Sequence, residues 1–241
     1  MNESAARIDA LRCISSVKSD LLVLVKRLTN LTEIDDLMII GSLARNAFIT
    51  GTSDVDLMLI TSDSFSEQSS EQIAATFYQL ETPFDVVVVS TDQLGEDVYP
   101  SQIMFLRKPD GSIISKPAGS NDFLLSRQDA AEYGISLLGK KTRPRPVPWC
   151  LLLQSLRYIF PFLCTHFKNP VLSLCRAMYT FENKRGCSKP VGGEWSLGVV
   201  DDRFHAIINR DLRAHKMAQK ASFQLEELRT FEQHVREHIG F

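Results

Sequence analysis

The chain has 241 residues, a formal net charge of −2 at pH 7, 44% hydrophobic residues and 23% charged residues. This composition is typical of a globular protein and excludes the fibrous and intrinsically disordered classes. No stretch approaches the ~18 consecutive apolar residues of a membrane-spanning helix, and the polar start of the chain lacks the apolar core of a signal peptide. We therefore expect a cytoplasmic protein with no membrane partner.

Charge is distributed unevenly along the sequence. Residues 1–120 contain 9 Lys and Arg against 17 Asp and Glu, whereas residues 121–241 contain 18 against 12. An acidic half facing a basic half would suit a metal–polyphosphate ligand, although a plain difference in composition between two domains explains the same numbers. The five cysteines include no C-x-x-C pair, so neither a zinc knuckle nor a disulfide framework is predicted.

The first half of the chain has the pattern of an α/β module. Apolar spacing and glycine positions predict helix, strand, strand, helix and strand, in this order: 4–29, 36–41, 55–60, 67–80 and 84–89. The last of these strands is an almost unbroken run of valines, so we expect it to be buried on both faces. Turn-forming residues then weaken the regular signals between 100 and 120, where we expect a loop-rich region with turns at Pro109 and Pro117.

The second half is predicted to be helical. One further helix is expected over 122–138, and three prolines between Pro144 and Pro148 then prevent helix formation. We place the domain boundary there, with domains at 1–140 and 145–241. The helices expected in the second domain are 149–166, 169–183, 189–198, 201–215 and 217–239. The predicted fold is thus an α/β (α+β) domain with a small mixed sheet, followed by an all-helical bundle.

The chemistry is concentrated between residues 41 and 57. Asp54 and Asp56 are two positions apart at the start of a strand, so both carboxylates leave the same face. Carboxylates so close repel each other unless a cation lies between them, and Mg²⁺ prefers such hard oxygen ligands. Asp85 opens the next strand and can join them if the two strands are neighbours. Three carboxylates would form a two-metal site, in which Asp85 is also a plausible general base.

Gly41 and Ser42 follow the first strand at the point where the chain turns. Backbone amides and a hydroxyl in such a position can face an anion, which makes them candidates for binding a triphosphate. With Ser53 in Ser-Asp-x-Asp-Leu, the order of these motifs resembles the polymerase-β-like nucleotidyltransferase superfamily. That resemblance implies ATP as a co-substrate, two Mg²⁺ ions and an α/β (α+β) nucleotidyltransferase domain.

The second half is similar to the AadA-type aminoglycoside nucleotidyltransferases through 132–140, 169–179 and 188–195. The resemblance runs from about residue 20 to about residue 238. It implies transfer of AMP from ATP to a hydroxyl group of an aminoglycoside or aminocyclitol. It also implies that Arg176 and Lys189, thirteen positions apart, bind the ATP phosphates. His215 stands in place of a nucleotide-facing tyrosine.

Departures from the family pattern bear on the acceptor. Asp85 stands where the family has a glutamate, the 100–120 region contains no tryptophan, and His166 occupies the place of an acidic residue. The last two positions serve streptomycin in the family, so the sequence favours spectinomycin over streptomycin.

Two other interpretations remain open. The chain could be a nucleotidyltransferase that acts on a protein, an RNA or another metabolite, or it could be a degenerate domain without activity. The helical half and the three retained carboxylates favour a small-molecule enzyme. The basic stretch 140–148 lacks interleaved aromatics, so a nucleic-acid partner is not expected. We expect a monomer.

Overall fold

The computed structural model divides the chain into two compact units, Met1–Pro148 and Trp149–Phe241. The predicted domain limits, 140 and 145, both precede this division. The residues that the structure describes are 2–51, 53–62, 67–97, 101–103, 105–107, 113–114, 118–120, 123–139, 143–165 and 168–241. Within these ranges, no helix combines the length and the apolar character that crossing a membrane requires.

The first unit combines helices with short strands. Its elements in chain order are α1 (Asn2–Asp9), α2 (Ser15–Leu28), β1 (Ile34–Ile39), α3 (Gly41–Ala44), β2 (Val55–Thr61), α4 (Glu67–Tyr78), β3 (Phe84–Ser90), α5 (Thr91–Gly95), β4 (Ser101–Ile103), β5 (Phe105–Arg107), β6 (Ile113–Ile114), β7 (Ala118–Ser120), α6 (Phe123–Tyr133) and β8 (Ile135–Ser136). The main sheet has the strand order β6-β5-β3-β2-β1-β8, and β4 pairs with β7 separately. Strands β2 and β3 are parallel and are joined through α4, while the other pairs are antiparallel. The predicted mixed sheet is therefore confirmed.

Hydrophobic cores cover both faces of this sheet. On one face, Leu57 and Val86 belong to a core that also contains residues of α1, α2 and α4. On the other face, Met58 and Val87 pack in a core with Phe123 of α6. Because successive strand residues point to opposite faces, even-numbered residues of β2 and odd-numbered residues of β3 share the face covered by α6.

The second unit is a helical bundle, as predicted. Its helices are α7 (Trp149–Ile159), α8 (Pro170–Asn183), α9 (Lys189–Ser196), α10 (His205–Lys216) and α11 (Leu225–Ile239), with 3₁₀ turns at Phe160–Phe162 and Asp202–Phe204. Helix α8 packs against α9, α10 and α11. It begins at a proline, whose missing N–H is not needed in the first turn of a helix.

The single helix predicted over 4–29 is wrong. The chain forms α1 and α2, with a break between Asp9 and Ser15. At the break, the Lys18 ammonium donates to the backbone carbonyl of Asp9 at 2.6 Å, which satisfies an acceptor at the C-terminus of α1. Ile8, Leu11 and Val17 are all buried. Their apolar spacing continues across the break, so periodicity alone could not reveal it.

Two further predictions for the first unit are corrected. The region expected to be loop-rich contains the short strands β4 to β7, whereas the turn residues Pro109 and Pro117 lie outside the described residues. The helix predicted over 122–138 ends at Tyr133 because the chain then enters β8, where Ser136 pairs with Met38 of β1. Pairing with a distant strand therefore overrides the local helical pattern.

Two helices of the second unit are shorter than predicted. The helix expected over 149–166 ends at Ile159 and continues as a 3₁₀ turn, since Pro161 cannot donate the next helical hydrogen bond. The last helix begins at Leu225 instead of 217. Helix α10 ends just before Ala218, which has a left-handed backbone with φ of 56° and prevents continuation into α11.

Candidate active site

Asp56 and Asp85 are neighbours on the two parallel strands. The register of β2 and β3 places Asp56 directly opposite Asp85. Each is the second residue of its strand, and each is half-buried while the rest of its strand is buried. Residues two positions apart in a strand point to the same face. Asp56 therefore shares a face with Met58, and Asp85 shares it with Val87, so both acids lie on the face covered by α6. Neighbouring strands in a sheet lie about 4.8 Å apart, so the sheet presents these two acids at adjacent positions of one face.

Asp54 is half-buried and lies directly before the first residue of β2. The strand pairing therefore fixes the position of Asp56 but not that of Asp54. Within the part of the chain that the structure describes, no three His, Cys, Asp or Glu side chains are grouped as a metal site. The three-carboxylate cluster stays a prediction, and the observed feature is the pair.

Gly41 lies against the carboxylate of Asp56. A Cβ atom added to Gly41 would overlap this carboxylate and would lie 2.7 Å from its Cγ. Gly41 also has a φ of +68°, a left-handed conformation that side chains disfavour. A backbone hydrogen bond also connects the two segments: the Ile40 amide donates to the Asp56 carbonyl at 3.0 Å. The turn from β1 into α3 is therefore built directly onto the start of β2.

The amide of Gly41 faces an anion that belongs to the protein itself. It donates to the carboxylate of Asp129, which also forms an ion pair with Arg45. The side chain of Asp129 is only 7% exposed, and the Arg45 guanidinium lies 5.3 Å from the ring centroid of Tyr133. Asp129 thereby fastens α6 to the Gly41 turn. No sequence pattern indicated this residue, because an acidic residue within a helix has no distinctive spacing.

The two serines predicted to bind nucleotide have different surroundings. Ser42 Oγ is buried and lacks a hydrogen-bond partner among the described residues. Ser53, in contrast, uses its hydroxyl to accept from the Ile49 amide at 3.0 Å, and its own amide donates to the Ile49 carbonyl at 2.9 Å. A buried polar group without a partner costs about 1–3 kcal/mol. Of the two serines, Ser42 is therefore the one whose hydroxyl still needs a hydrogen-bond partner, and a ligand oxygen could supply it.

In the second unit, Arg176, Lys189 and His215 occupy three packed helices. Arg176 belongs to α8, Lys189 is the first residue of α9, and His215 lies near the end of α10. Helix α9 approaches α8 closely at Gly192, where an added Cβ would lie 2.9 Å from the Cα of Arg176. Lys189 is three positions before Gly192, so it lies on the same side of α9.

Lys189 also acts on two buried groups of α10. Burial lowers the pKa of His215, and the positive charge of Lys189 lowers this pKa further. Burial raises the pKa of Asp211, while hydrogen bonds from Leu172 and Asn169 and the charge of Lys189 oppose that rise. Lys189 and His215 therefore share one electrostatic environment, whose central acid, Asp211, was not predicted from the sequence.

Comparisons with known proteins extend this description. Residues 154–238 match the family model for the aminoglycoside adenylyltransferase C-terminal domain. Among solved structures, the chain resembles spectinomycin adenyltransferase AAD(9) from Enterococcus faecialis, determined with ATP and spectinomycin. The TM-score is 0.76 and the identity 13%, over 94% of this chain and 98% of that chain. At this identity the likeness establishes the fold.

A second solved structure is the STING-associated CdnE c-di-GMP synthase from Capnocytophaga granulosa. It has a TM-score of 0.32 and 12% identity, over 100% of this chain and 82% of that chain. A likeness this weak supports no conclusion about the fold. No curated protein matches the sequence.

Proposed function

We propose that this chain, an adenylyltransferase with the AadA-type C-terminal domain, transfers AMP from ATP to a hydroxyl group of an aminocyclitol acceptor such as spectinomycin. The observation that carries this proposal is the pairing of Asp56 with Asp85 beside the Gly41 turn. Two half-buried acids in facing positions of a parallel strand pair repel each other, and like charges so placed destabilise a sheet. Binding a cation removes that repulsion.

The donor set at this position fits Mg²⁺. Asp56 and Asp85, with Asp54 just before them, offer the hard oxygen ligands that Mg²⁺ prefers, and substrate phosphate and water complete its shell. The buried Ser42 hydroxyl adds a polar atom that still needs a partner. We assign two Mg²⁺ ions to these carboxylates. When bound, they supply positive charge that stabilises the leaving pyrophosphate and favours ionisation of the acceptor hydroxyl.

Residues of the protein carry out proton transfer and hold the phosphate groups. Asp85 accepts the proton of the acceptor hydroxyl as a general base. The acceptor oxygen forms a bond to the α-phosphorus of ATP. The bond from that phosphorus to the bridging oxygen breaks, and pyrophosphate leaves with the electron pair. Ser42 donates its hydroxyl hydrogen to a phosphate oxygen, while Gly41 keeps the backbone close to Asp56 and Ser53 closes the turn before Asp54.

The second unit contributes cations for the nucleotide. Arg176 and Lys189 bind the triphosphate, and His215 contacts the nucleotide in place of the family tyrosine. Support for this role comes from the close packing of α9 on α8 at Arg176 and from the influence of Lys189 on His215. A hydrogen bond to a charged group contributes about 1.5–3 kcal/mol, so each cation has a measurable share in ATP affinity.

The acceptor is proposed to be spectinomycin rather than streptomycin. A strongly cationic acceptor needs acidic partners in a desolvated site. The sequence has no tryptophan in the 100–120 region, and His166, which lies outside the described residues, replaces the acidic residue. An acceptor that does not depend on these two contacts therefore fits best.

The proposal is tested by pyrophosphate release from ATP and Mg²⁺ with a panel of aminocyclitols, aminoglycosides and hydroxylated metabolites. We expect release with spectinomycin, little with streptomycin, and none after chelation of the metal or in Asp56→Ala. The product should be heavier than the acceptor by the mass of one adenylyl group. A protein that releases no pyrophosphate with any small acceptor, but labels macromolecules in a lysate with radioactive ATP, would support the competing interpretation instead.

A further inference from the structure

Asp211 is a buried carboxylate that connects two helices of the second unit, α10 and α8. It lies in α10 with 0% exposure. One of its oxygens accepts from the side-chain amide of Asn169 at 3.1 Å, and the other accepts from the backbone amide of Leu172 at 3.0 Å. Both donors lie at the start of α8, where backbone N–H groups lack helical partners and the helix dipole favours a negative charge. Asp211 thus holds α10 to the N-terminus of α8.

The contact with Asn169 fixes the orientation of a buried amide. An ionised carboxylate can only accept hydrogen bonds, so Asn169 must turn its NH₂ group towards Asp211. Its Oδ1 then faces His215 Nδ1, which lies 3.2 Å away. Because Oδ1 can only accept, Nδ1 must carry the hydrogen of the imidazole. The neutral His215 ring then leaves Nε2 as a hydrogen-bond acceptor.

Helix α9 is seated close to this group. A Cβ added to Gly193 would lie 2.6 Å from Leu172 Cδ2 and 2.9 Å from Leu212 Cδ2. These two leucines are, respectively, the backbone donor to Asp211 and its neighbour in α10. Lys189, one turn earlier in α9, is near enough for its charge to act on both Asp211 and His215. The start of α9 is therefore positioned by the same packing that surrounds Asp211.

We propose that Asp211 is a positioning residue for nucleotide binding. Its carboxylate sets the Nδ1-protonated form of His215 through Asn169, and its charge holds the Lys189 ammonium at the start of α9. This inference rests on the proposed function, in which Lys189 and His215 bind ATP. Asp211 itself is fully buried, so it acts through these two residues.

The first test is a double-mutant cycle on ATP affinity in the full chain, measured by calorimetric titration of ATP with Mg²⁺. Lys189→Ala should raise the dissociation constant about 10- to 150-fold. Asp211→Asn keeps the size but removes the charge, and we expect a rise of about 10-fold. Both changes disturb the same ammonium group, whereas Asp211→Asn also acts through His215, so the double variant should bind ATP less weakly than the two single effects multiplied together would give. Asp202→Asn, at a side chain with 100% exposure, is the matched control and should bind as wild type does.

The outcomes separate the two proposals. Equal ATP affinities for wild type and Lys189→Ala would contradict the role of Lys189 in the proposed function. A weakened Lys189→Ala protein together with an unchanged Asp211→Asn protein, or fully additive effects in the double variant, would overturn the inference alone.

A second measurement is made on the wild-type protein, so its result does not depend on whether an Asp211 variant folds. Nitrogen NMR of the imidazole of wild-type His215, assigned by the signals missing in His215→Asn, should show Nδ1 protonated and Nε2 unprotonated. If Asp211→Asn folds, its His215 should lose this preference, because Asn169 can then turn its amide. A wild-type ring protonated on Nε2 would overturn the proposed chain from Asp211 through Asn169 to His215.

Discussion

Asp56 and Asp85 stand opposite each other in the register of two parallel strands, on the sheet face covered by α6. If they hold metal and Asp85 also accepts the hydroxyl proton, Asp56→Ala should abolish pyrophosphate release while leaving thermal unfolding nearly unchanged. Asp85→Asn keeps the shape but loses the base, so we expect a loss of at least ~100-fold in turnover. Asp85→Glu introduces the glutamate that the AadA-type family has at this position, and it should retain part of the activity. Turnover of Asp56→Ala close to that of wild type would refute the site.

Gly41 and Gly51 provide a matched pair for testing the turn beside Asp56. Both have left-handed backbones, with φ of +68° and +82°, so at either position the backbone conformation of an alanine should cost about 1–2 kcal/mol of stability. Only Gly41 lies against Asp56, whereas a Cβ on Gly51 would meet nothing within 4 Å. We therefore expect Gly41→Ala to lose most of its turnover and Gly51→Ala to keep it.

Denaturant unfolding and steady-state kinetics of the two glycine variants supply this comparison. If both variants are folded and activity is lost in Gly41→Ala alone, the effect lies at the Asp56 carboxylate. Similar activities in both variants would show that the close approach of Gly41 to Asp56 has no role in the reaction.

The site residues that the sequence predicted share a simple basis. Asp54 and Asp56 stand out because they interrupt apolar strand patterns at a fixed spacing, and Asp85 stands out because it opens the next strand. The resemblance to the AadA-type family added Arg176, Lys189 and His215, and the C-terminal family model confirms that resemblance. Their roles, the metal ions, the monomeric state and the cytoplasmic location stay predictions.

The residues that the sequence did not reveal act over long separations. Asp129 is 88 positions from the Gly41 amide that it accepts from, and Asp211 is 42 positions from Asn169. Each is an acidic residue inside a helix, where spacing gives no sign of burial, and only tertiary packing brings it to its donors. The pairing of Ser136 with Met38, which ends α6 early, has the same origin. Local patterns predict elements, but they do not specify which polar groups meet.

The contact between α9 and α8 should depend on the absence of a side chain at Gly192. A Cβ there would lie 2.9 Å from the Cα and 3.0 Å from the backbone nitrogen of Arg176, and backbone cannot move aside as a flexible side chain can. We expect Gly192→Ala to displace the start of α9 and to weaken ATP binding by about 10-fold. At Gly198 the nearest atom, the Trp195 carbonyl oxygen, would be 3.5 Å from an added Cβ, so Gly198→Ala is the control. Unchanged ATP affinity in Gly192→Ala would show that nucleotide binding does not depend on this contact between α9 and α8.

The protonation of His215 should make stability depend on pH in a defined direction. Burial and the charge of Lys189 lower the pKa of His215 in the folded protein below the ordinary value of ~6.5. As the pH falls below ~6.5, the unfolded chain therefore takes up a proton that the native His215 does not accept. The free energy of unfolding should decrease with a slope of up to ~1.4 kcal/mol per pH unit, until the pH reaches the folded pKa.

His215→Asn isolates this contribution, because its amide can donate to Asn169 as Nδ1 does but cannot titrate. Other titrating groups are common to both proteins, so the difference between their unfolding free energies reports on His215. Wild type should lose stability relative to His215→Asn between pH 7 and pH 5. Introducing Lys189→Met into both proteins should reduce this loss, since the folded pKa of His215 then rises towards its ordinary value. Urea unfolding at several pH values measures all four proteins. A difference that does not change with pH would show that His215 titrates alike in the folded and unfolded chains, and an unchanged difference after Lys189→Met would show that Lys189 has no influence on it.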